Sequence, residues 1–99
     1  MIDARKGKVI AKIPGGLTPE SLDITPNGAS AYVTNFDAFL VSVIDTSSYV
    51  PVAAISLRGL MPFRVAITPD GRFAYVIARE IESIQSHIAV IDTAINQVV

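Results

Sequence analysis

The sequence predicts an all-β fold made of two copies of a four-stranded antiparallel unit. The first observation is an internal repeat, because Ile24–Gly28 (Ile-Thr-Pro-Asn-Gly) returns 43 positions later as Ile67–Gly71 (Ile-Thr-Pro-Asp-Gly). Each copy is followed by Ala-Tyr-Val, at 31–33 and 74–76. The second observation is a hydrophobic share of 51% in 99 residues without helical periodicity. A period near 40 residues is typical of repeat architectures, and such a composition suits strands buried on both faces.

Runs of strand-forming residues between turn residues predict four strands in the first unit, at 20–24, 31–34, 39–44 and 50–57. The segment 25–28 predicts a tight turn, because Pro presets φ while Asn and Gly tolerate positive φ. Pro51 places the fourth strand at a sheet edge, since Pro cannot donate to a β-ladder.

The second unit repeats this order, with strands predicted at 63–67, 72–78 and 87–91 and the beginning of a fourth at 98–99. Its loop at 79–86 is longer than the equivalent loop at 35–38. Residues 8–13 alternate partly, with lysines on one side, and predict an outer strand that belongs to a preceding unit.

Four short antiparallel strands in roughly 40–45 residues form one blade of a β-propeller. The sequence therefore predicts about two repeats of a larger propeller. Residues 1–13 supply the outer strand of a preceding blade, residues 14–57 form the first blade, and residues 58–99 form a second blade that lacks its outer strand. A β-solenoid is the competing interpretation, although its repeats are usually shorter.

These motifs resemble the YVTN family of β-propeller repeats. The resemblance rests on segments in a fixed order: Ile24–Gly28, Ala31–Asn35, Ser42–Thr46, Ile67–Gly71, Ala74–Val76 and Ala89–Thr93. It departs at Ile77-Ala78, where the family has Thr-Asn. The resemblance implies a blade of a six- to eight-bladed propeller from a secreted or cell-surface protein of bacteria or archaea, with a role in binding or adhesion.

Composition excludes several classes of function. The formal net charge of −1 provides no field that would attract nucleic acid or an anionic membrane. The absence of cysteine excludes disulfides and thiol chemistry. The longest apolar stretches are too short for membrane insertion. Residues 1–6 lack the apolar core of a signal peptide, so we expect either a cytoplasmic protein or an internal piece of a longer one.

The polar residues that recur are predicted to build turns. Asn27 and Asp70 share one repeat position, and Asp45 and Asp92 share another. His87 is the single histidine, and without cysteines or clustered acids it predicts neither a metal site nor a cofactor. The equivalent residues Tyr32 and Tyr75 are predicted to pack between blades.

Functional residues are expected where the repeat is broken. In a propeller, the loops that enter inner strands and the loops between second and third strands share one face. The candidate binding residues on this face are Glu20, Phe36, Asp37, Arg64, Arg79, Glu80 and Glu82. Variable, solvated loops without a ligand are the alternative interpretation.

Two functions follow. The first is a non-catalytic binding or scaffold module for a protein or glycan. The second is a fragment of a propeller enzyme, lactonase-like or quinoprotein-like, whose axial site would draw on Glu20, Asp23 and Arg64. The expected structural partners are other blades of a longer chain, or other copies of this chain arranged head to tail.

Overall fold

Strands dominate the computed structural model, which describes residues 2–3, 8–9, 19–83 and 85–99. For residues 2–3, 8–9 and Asp37 it describes the backbone alone. β1 (Ile2–Asp3) and β2 (Lys8–Val9) pair as a short antiparallel hairpin. The rest of the predicted strand at 8–13 lies outside the described residues, as do residues 14–18. Within the described ranges, no helix has the length and apolar character needed to cross a membrane.

Blade one is a four-stranded antiparallel sheet whose spatial order follows the chain. Its strands are β3 (Pro19–Ile24), β4 (Ser30–Asn35), β5 (Leu40–Asp45) and β6 (Val50–Ser56). A 3-10 turn at Phe36–Ala38 connects β4 to β5. All four predicted strands are confirmed to within one residue, and Pro51 lies in the edge strand as predicted.

Blade two repeats the same sheet. Its strands are β7 (Leu60–Ile67), β8 (Phe73–Glu80), β9 (Ser86–Asp92) and β10 (Gln97–Val98). The predicted loop at 79–86 is wrong at its beginning, because β8 continues to Glu80 while Leu60 and Met61 pair with Glu80 and Arg79. The longer ladder satisfies backbone groups that a loop would expose to water.

Both inner strands contain a bulge at the same repeat position. The pairing shifts after Pro19 in β3 and after Pro62 in β7, so Glu20 and Phe63 are the extra residues. Proline has no N–H for the ladder, and a bulge is one of the places where a sheet accepts it. At both positions one residue of the inner strand is left unpaired in the ladder, as is usual for a bulge.

The main hydrophobic core lies between the blades. β7 packs across β3, β4 and β5. The buried residues of this core come from both blades: Tyr32, Val41, Val43, Ile55, Leu57, Val65, Ala74, Val76, Ala78 and Ile91. Ala31, Val33 and Ile44 form a second, smaller cluster on the other face of blade one. Each blade is thus stabilised by its neighbour, as in repeat proteins generally.

Candidate functional site

The two edges of the blade pair differ in how they use polar groups. At the turn edge, which comprises the turns at 25–29, 45–49, 68–72 and 92–96, hydrogen bonds repeat from one blade to the next. Asn27 Oδ1 accepts from Thr25 Oγ1 at 2.7 Å and from Ala29 N at 3.0 Å. Asp70 Oδ1 accepts from Thr68 Oγ1 at 2.6 Å and from the amide two residues on at 3.0 Å. The predicted turn roles of Asn27 and Asp70 are confirmed.

Asp45 and Asp92 also build turns, as predicted. Each accepts from the amide two residues ahead, Ser47 N and Ala94 N, at 2.9 Å in both cases. Hydrogen bonds from Ser47 lower the pKa of Asp45, and the bond from the Thr68 hydroxyl lowers the pKa of Asp70. The carboxylates of the turn edge are therefore engaged within the fold.

The opposite edge, here the loop edge, is where β3, β5, β7 and β9 begin and where β4 and β8 end. Most of the predicted binding residues lie there. Glu20 is the exposed bulge residue of β3. Phe36, half-buried, begins the 3-10 turn that packs against β7. Arg79 and Glu80 are exposed at the end of β8, and Glu82 is exposed in the turn that follows. Asp37 lies in the 3-10 turn, and its side chain is outside the described residues.

Arg64 lies away from that group. It is in the middle of β7 and pairs with Ile77. The predicted strand at 63–67 would place Arg64 near its beginning, and this is wrong, because β7 starts at Leu60. Its side chain borders an apolar hollow on the face of blade two that points away from blade one, beside Tyr75 and Ile88. The structure therefore does not bring Arg64 together with Glu20 at the loop edge.

His87 pairs with Glu80 near the loop edge. Its Nε2 lies 3.1 Å from Glu80 Oε1, and the two side chains are 41% and 50% exposed. A pair this exposed contributes little to stability. Among the residues that the structure describes, no three His, Asp or Glu side chains come together as a metal site would require. His87 is thus a partly exposed residue whose described polar partner is the carboxylate of Glu80.

Asp23 has a role that sequence reasoning missed. Its Oδ2 accepts from Ile67 N of blade two at 2.8 Å, and its Oδ1 accepts from Ile24 N at 2.9 Å. Ser21 Oγ accepts from Val65 N nearby at 3.4 Å. The carboxylate of Asp23 thus joins the two inner strands. The available signal was a break in the repeat, since Ala66 stands at the equivalent position.

Tyr32 is the second side chain that joins the blades. It is 1% exposed, and its hydroxyl donates to Asn96 Oδ1 at 2.5 Å. Burial, with a smaller contribution from the negative charge of Asp92, raises the pKa of Tyr32. Its predicted place between blades is confirmed. Tyr75, by contrast, is 45% exposed on the outer face of blade two.

Comparison with known proteins supports the fold. No protein-family model matches the chain. Two curated relatives, both called uncharacterized protein YncE, from Salmonella typhi and Salmonella typhimurium, are each 34% identical over 82 residues, which cover 81% of this chain and 22% of the relative. A solved structure of hydrazine synthase from Kuenenia stuttgartiensis superimposes with a TM-score of 0.84 at 34% identity, over 99% of this chain and 27% of that one.

The chain therefore spans about a quarter of the length of these relatives. It is homologous to YncE and shares the fold of a β-propeller-containing protein. The predicted fold class, all-β with four-stranded propeller blades, is confirmed. The assignment to YVTN repeats stays a prediction.

Proposed function

We propose that this chain is part of a β-propeller that works as a non-catalytic binding or scaffold module, with the loop edge as its recognition surface for a protein or glycan. One contrast carries the proposal. The turn edge repeats its hydrogen bonds between blades, whereas the loop edge differs between them. A 3-10 turn connects β4 to β5, but an extended hairpin connects β8 to β9. Binding residues are commonly found on loops that a rigid scaffold positions.

The chemistry of the loop edge suits a polar ligand. Glu20 and Glu82 offer carboxylate acceptors, and Arg79 offers a guanidinium donor, all exposed. Phe36 adds an aromatic side chain that is half-buried in its turn. Carboxylates, a guanidinium group and an aromatic ring together can bind the hydroxyl groups of a glycan or the polar groups of a peptide.

The location of the parent protein is a further part of the proposal. The resemblance to YVTN repeats supports a secreted or cell-surface parent. A rigid propeller that presents a varied edge would serve adhesion there.

An enzyme fragment is the second candidate, because the similar solved structure is that of an enzyme, hydrazine synthase. The geometry of the proposed axial set argues against a lactonase-like or quinoprotein-like site in these blades. The Asp23 carboxylate is engaged by two backbone amides. Arg64 lies on the outer face of blade two. Glu20 is then the remaining member of the set at the loop edge.

The test is a screen of the 99-residue chain on glycan and protein arrays, together with two charge-reversal variants. Glu20→Lys combined with Glu82→Lys should abolish binding to any ligand found, because the loop edge would lose both carboxylates. Ala94→Lys is the matched control, since it places the same charge on an exposed residue of the turn edge. Binding that survives the double variant would contradict the proposal. Lactone hydrolysis or quinone-dependent dye reduction lost in Glu20→Gln would favour the enzyme.

A further inference from the structure

Asn27 and Gly28 form the exposed corner of the first turn at the turn edge. The turn requires glycine at position 28, because φ there is +76°. An asparagine before a glycine is chemically reactive, since the glycine nitrogen carries no neighbouring side chain that hinders its attack on the asparagine amide. The other two asparagines of the chain, Asn35 and Asn96, precede Phe and Gln. Asn27 is therefore the asparagine at which this attack is least hindered.

The reaction is a deamidation that consumes one water molecule. The backbone nitrogen of Gly28 forms a bond to Cγ of Asn27, and the side-chain nitrogen leaves as ammonia. Water then opens the succinimide ring. Cleavage of the bond between Cγ and the Gly28 nitrogen gives aspartate. Cleavage of the bond between the main-chain carbonyl carbon and that nitrogen gives isoaspartate, in which the backbone runs through Cγ.

Hydrogen bonds hold both reacting groups while the turn is closed. Gly28 N donates to Thr25 O at 2.8 Å. Asn27 Oδ1 accepts from Thr25 Oγ1 at 2.7 Å and from Ala29 N at 3.0 Å. Ring closure turns the Gly28 nitrogen and the Asn27 amide toward each other, so these bonds have to break first. The reaction therefore starts from a locally opened turn, and its rate reports how often the turn opens.

Packing distinguishes this turn from its counterpart in blade two. A Cβ added to Gly71 would lie 3.2 Å from Pro26 Cδ, so blade one covers Gly71. A Cβ added to Gly28 would meet no atom of the described residues within 4 Å. The side-chain hydrogen bonds of the two turns match. Opening the turn at 68–72 thus disturbs a contact between blades that the turn at 25–29 does not make through Gly28.

We propose that Asn27 is a modification site, at which local opening of the turn leads to deamidation, and that the repeat accommodates the aspartate form. The conversion adds one negative charge to the turn edge. Asn27 and Asp70 line one hollow between the blades, so the new carboxylate would join Asp70 there. This inference does not depend on a ligand at the loop edge.

Blade two shows why the aspartate form is accommodated. Asp70 Oδ1 accepts bonds of 2.6 and 3.0 Å that are equivalent to the 2.7 and 3.0 Å bonds of Asn27 Oδ1. An aspartate at position 27 keeps these acceptors. Isoaspartate lengthens the backbone before Gly28, so the bond from Gly28 N to Thr25 O is lost. The two products of one reaction therefore differ in their effect on the blade.

Mass spectrometry of the chain at mildly alkaline pH tests the role of the turn. Folded wild type should convert slowly at Asn27, and Thr25→Val should convert severalfold faster, because it removes the hydroxyl that bonds Asn27 Oδ1. Asp70→Asn creates the same Asn-Gly pair in blade two and should convert more slowly there than at Asn27, because Pro26 covers Gly71. In urea all these sites should convert at equal rates.

Three results would overturn the proposal. The first is a folded wild-type chain that does not convert while the urea-unfolded chain does. The second is Thr25→Val that converts no faster than wild type when folded. The third is Asp70→Asn that converts at both sites equally in the folded chain. Circular dichroism establishes that both variants fold.

Thermal unfolding of the separated products tests the accommodation. Asn27→Asp is the matched control, since it has the sequence of the aspartate product. At neutral pH this variant and the aspartate product should melt close to wild type, whereas the isoaspartate product should melt at a lower temperature. Asn27→Asp that melts as low as the isoaspartate product would show that the repeat does not accommodate the new carboxylate, and the proposal would be wrong.

Discussion

Tyr32 in blade one and Tyr75 in blade two occupy the same position of the repeat, yet they are 1% and 45% exposed. Both follow the same turn and lie in the second strand of their blade. They differ because blade two covers the face of blade one that carries Tyr32. The local sequence determines that each tyrosine lies in a strand, but the neighbouring blade determines whether its side chain is buried.

The inner strands differ in a second way. Blade one carries Ser21 and Asp23 toward blade two, and both accept hydrogen bonds from backbone amides of β7. Blade two carries Arg64 and Ala66 at those positions. Blade one therefore supplies acceptors to the amides of a neighbouring strand, whereas blade two has a guanidinium group and a methyl group at the same positions.

The largest expected effect comes from truncating the two tyrosines. Tyr32→Ala should destabilise the chain by about 3–5 kcal/mol, the usual cost of deleting a large buried aromatic side chain. Tyr75→Ala should change the free energy of unfolding by less than about 0.5–1 kcal/mol, as exposed positions do. Urea unfolding, at a concentration where the chain is monomeric, measures both. Equal losses would mean that the two faces are equally covered.

The next effect concerns the carboxylate that joins the blades. Asp23→Ala leaves Ile67 N without its acceptor, and we expect a loss of about 1–3 kcal/mol. Asp23→Asn should cost less, because its amide oxygen can still accept one bond. Thermal unfolding distinguishes them, with Ala66→Asp as the control at the equivalent position of blade two. If Asp23→Ala is as stable as the wild-type chain, the contact contributes nothing.

The stability of the chain at alkaline pH should depend on Tyr32 and not on Tyr75. Because the pKa of Tyr32 is raised in the folded chain, the unfolded chain loses this proton first. Its contribution is complete below the ordinary tyrosine pKa of about 10 and is lost as the pH rises through the folded value. Tyr32→Phe should therefore flatten the decline of stability above that pH, whereas Tyr75→Phe should not. An identical alkaline slope in wild type and Tyr32→Phe would contradict this assignment.

The smallest effect is expected at the turn edge in acid. The pKa of Asp70 is lowered, so its contribution is present above the ordinary aspartate pKa and is lost as the pH falls through the folded value. Asp70→Asn should keep the turn, because Asn27 makes the same bonds in blade one. The variant should lose part of the acid dependence of the melting temperature, and Asn27→Asp should gain some. Asp70→Ala should lower the melting temperature at every pH.

The sequence by itself determined the strands, the turns and the edge position of Pro51. These features depend on local chemistry, because strand propensity, Pro and Gly conformation and Asx hydrogen bonds act over a few residues. It also located Glu20, Arg79, Glu80 and Glu82 at one edge, since alternating strand directions place such loops together.

Only the tertiary structure decided which equivalent residues are buried and what Asp23 does. Its carboxylate bonds Ile67 N, 44 positions away, and no local pattern specifies that partner. The length of β8 likewise depends on its pairing with β7, which begins at Leu60. The same pairing places Arg64 within β7, on the outer face of blade two. Repeats share their local interactions, but their environment differs because each blade meets a different neighbour.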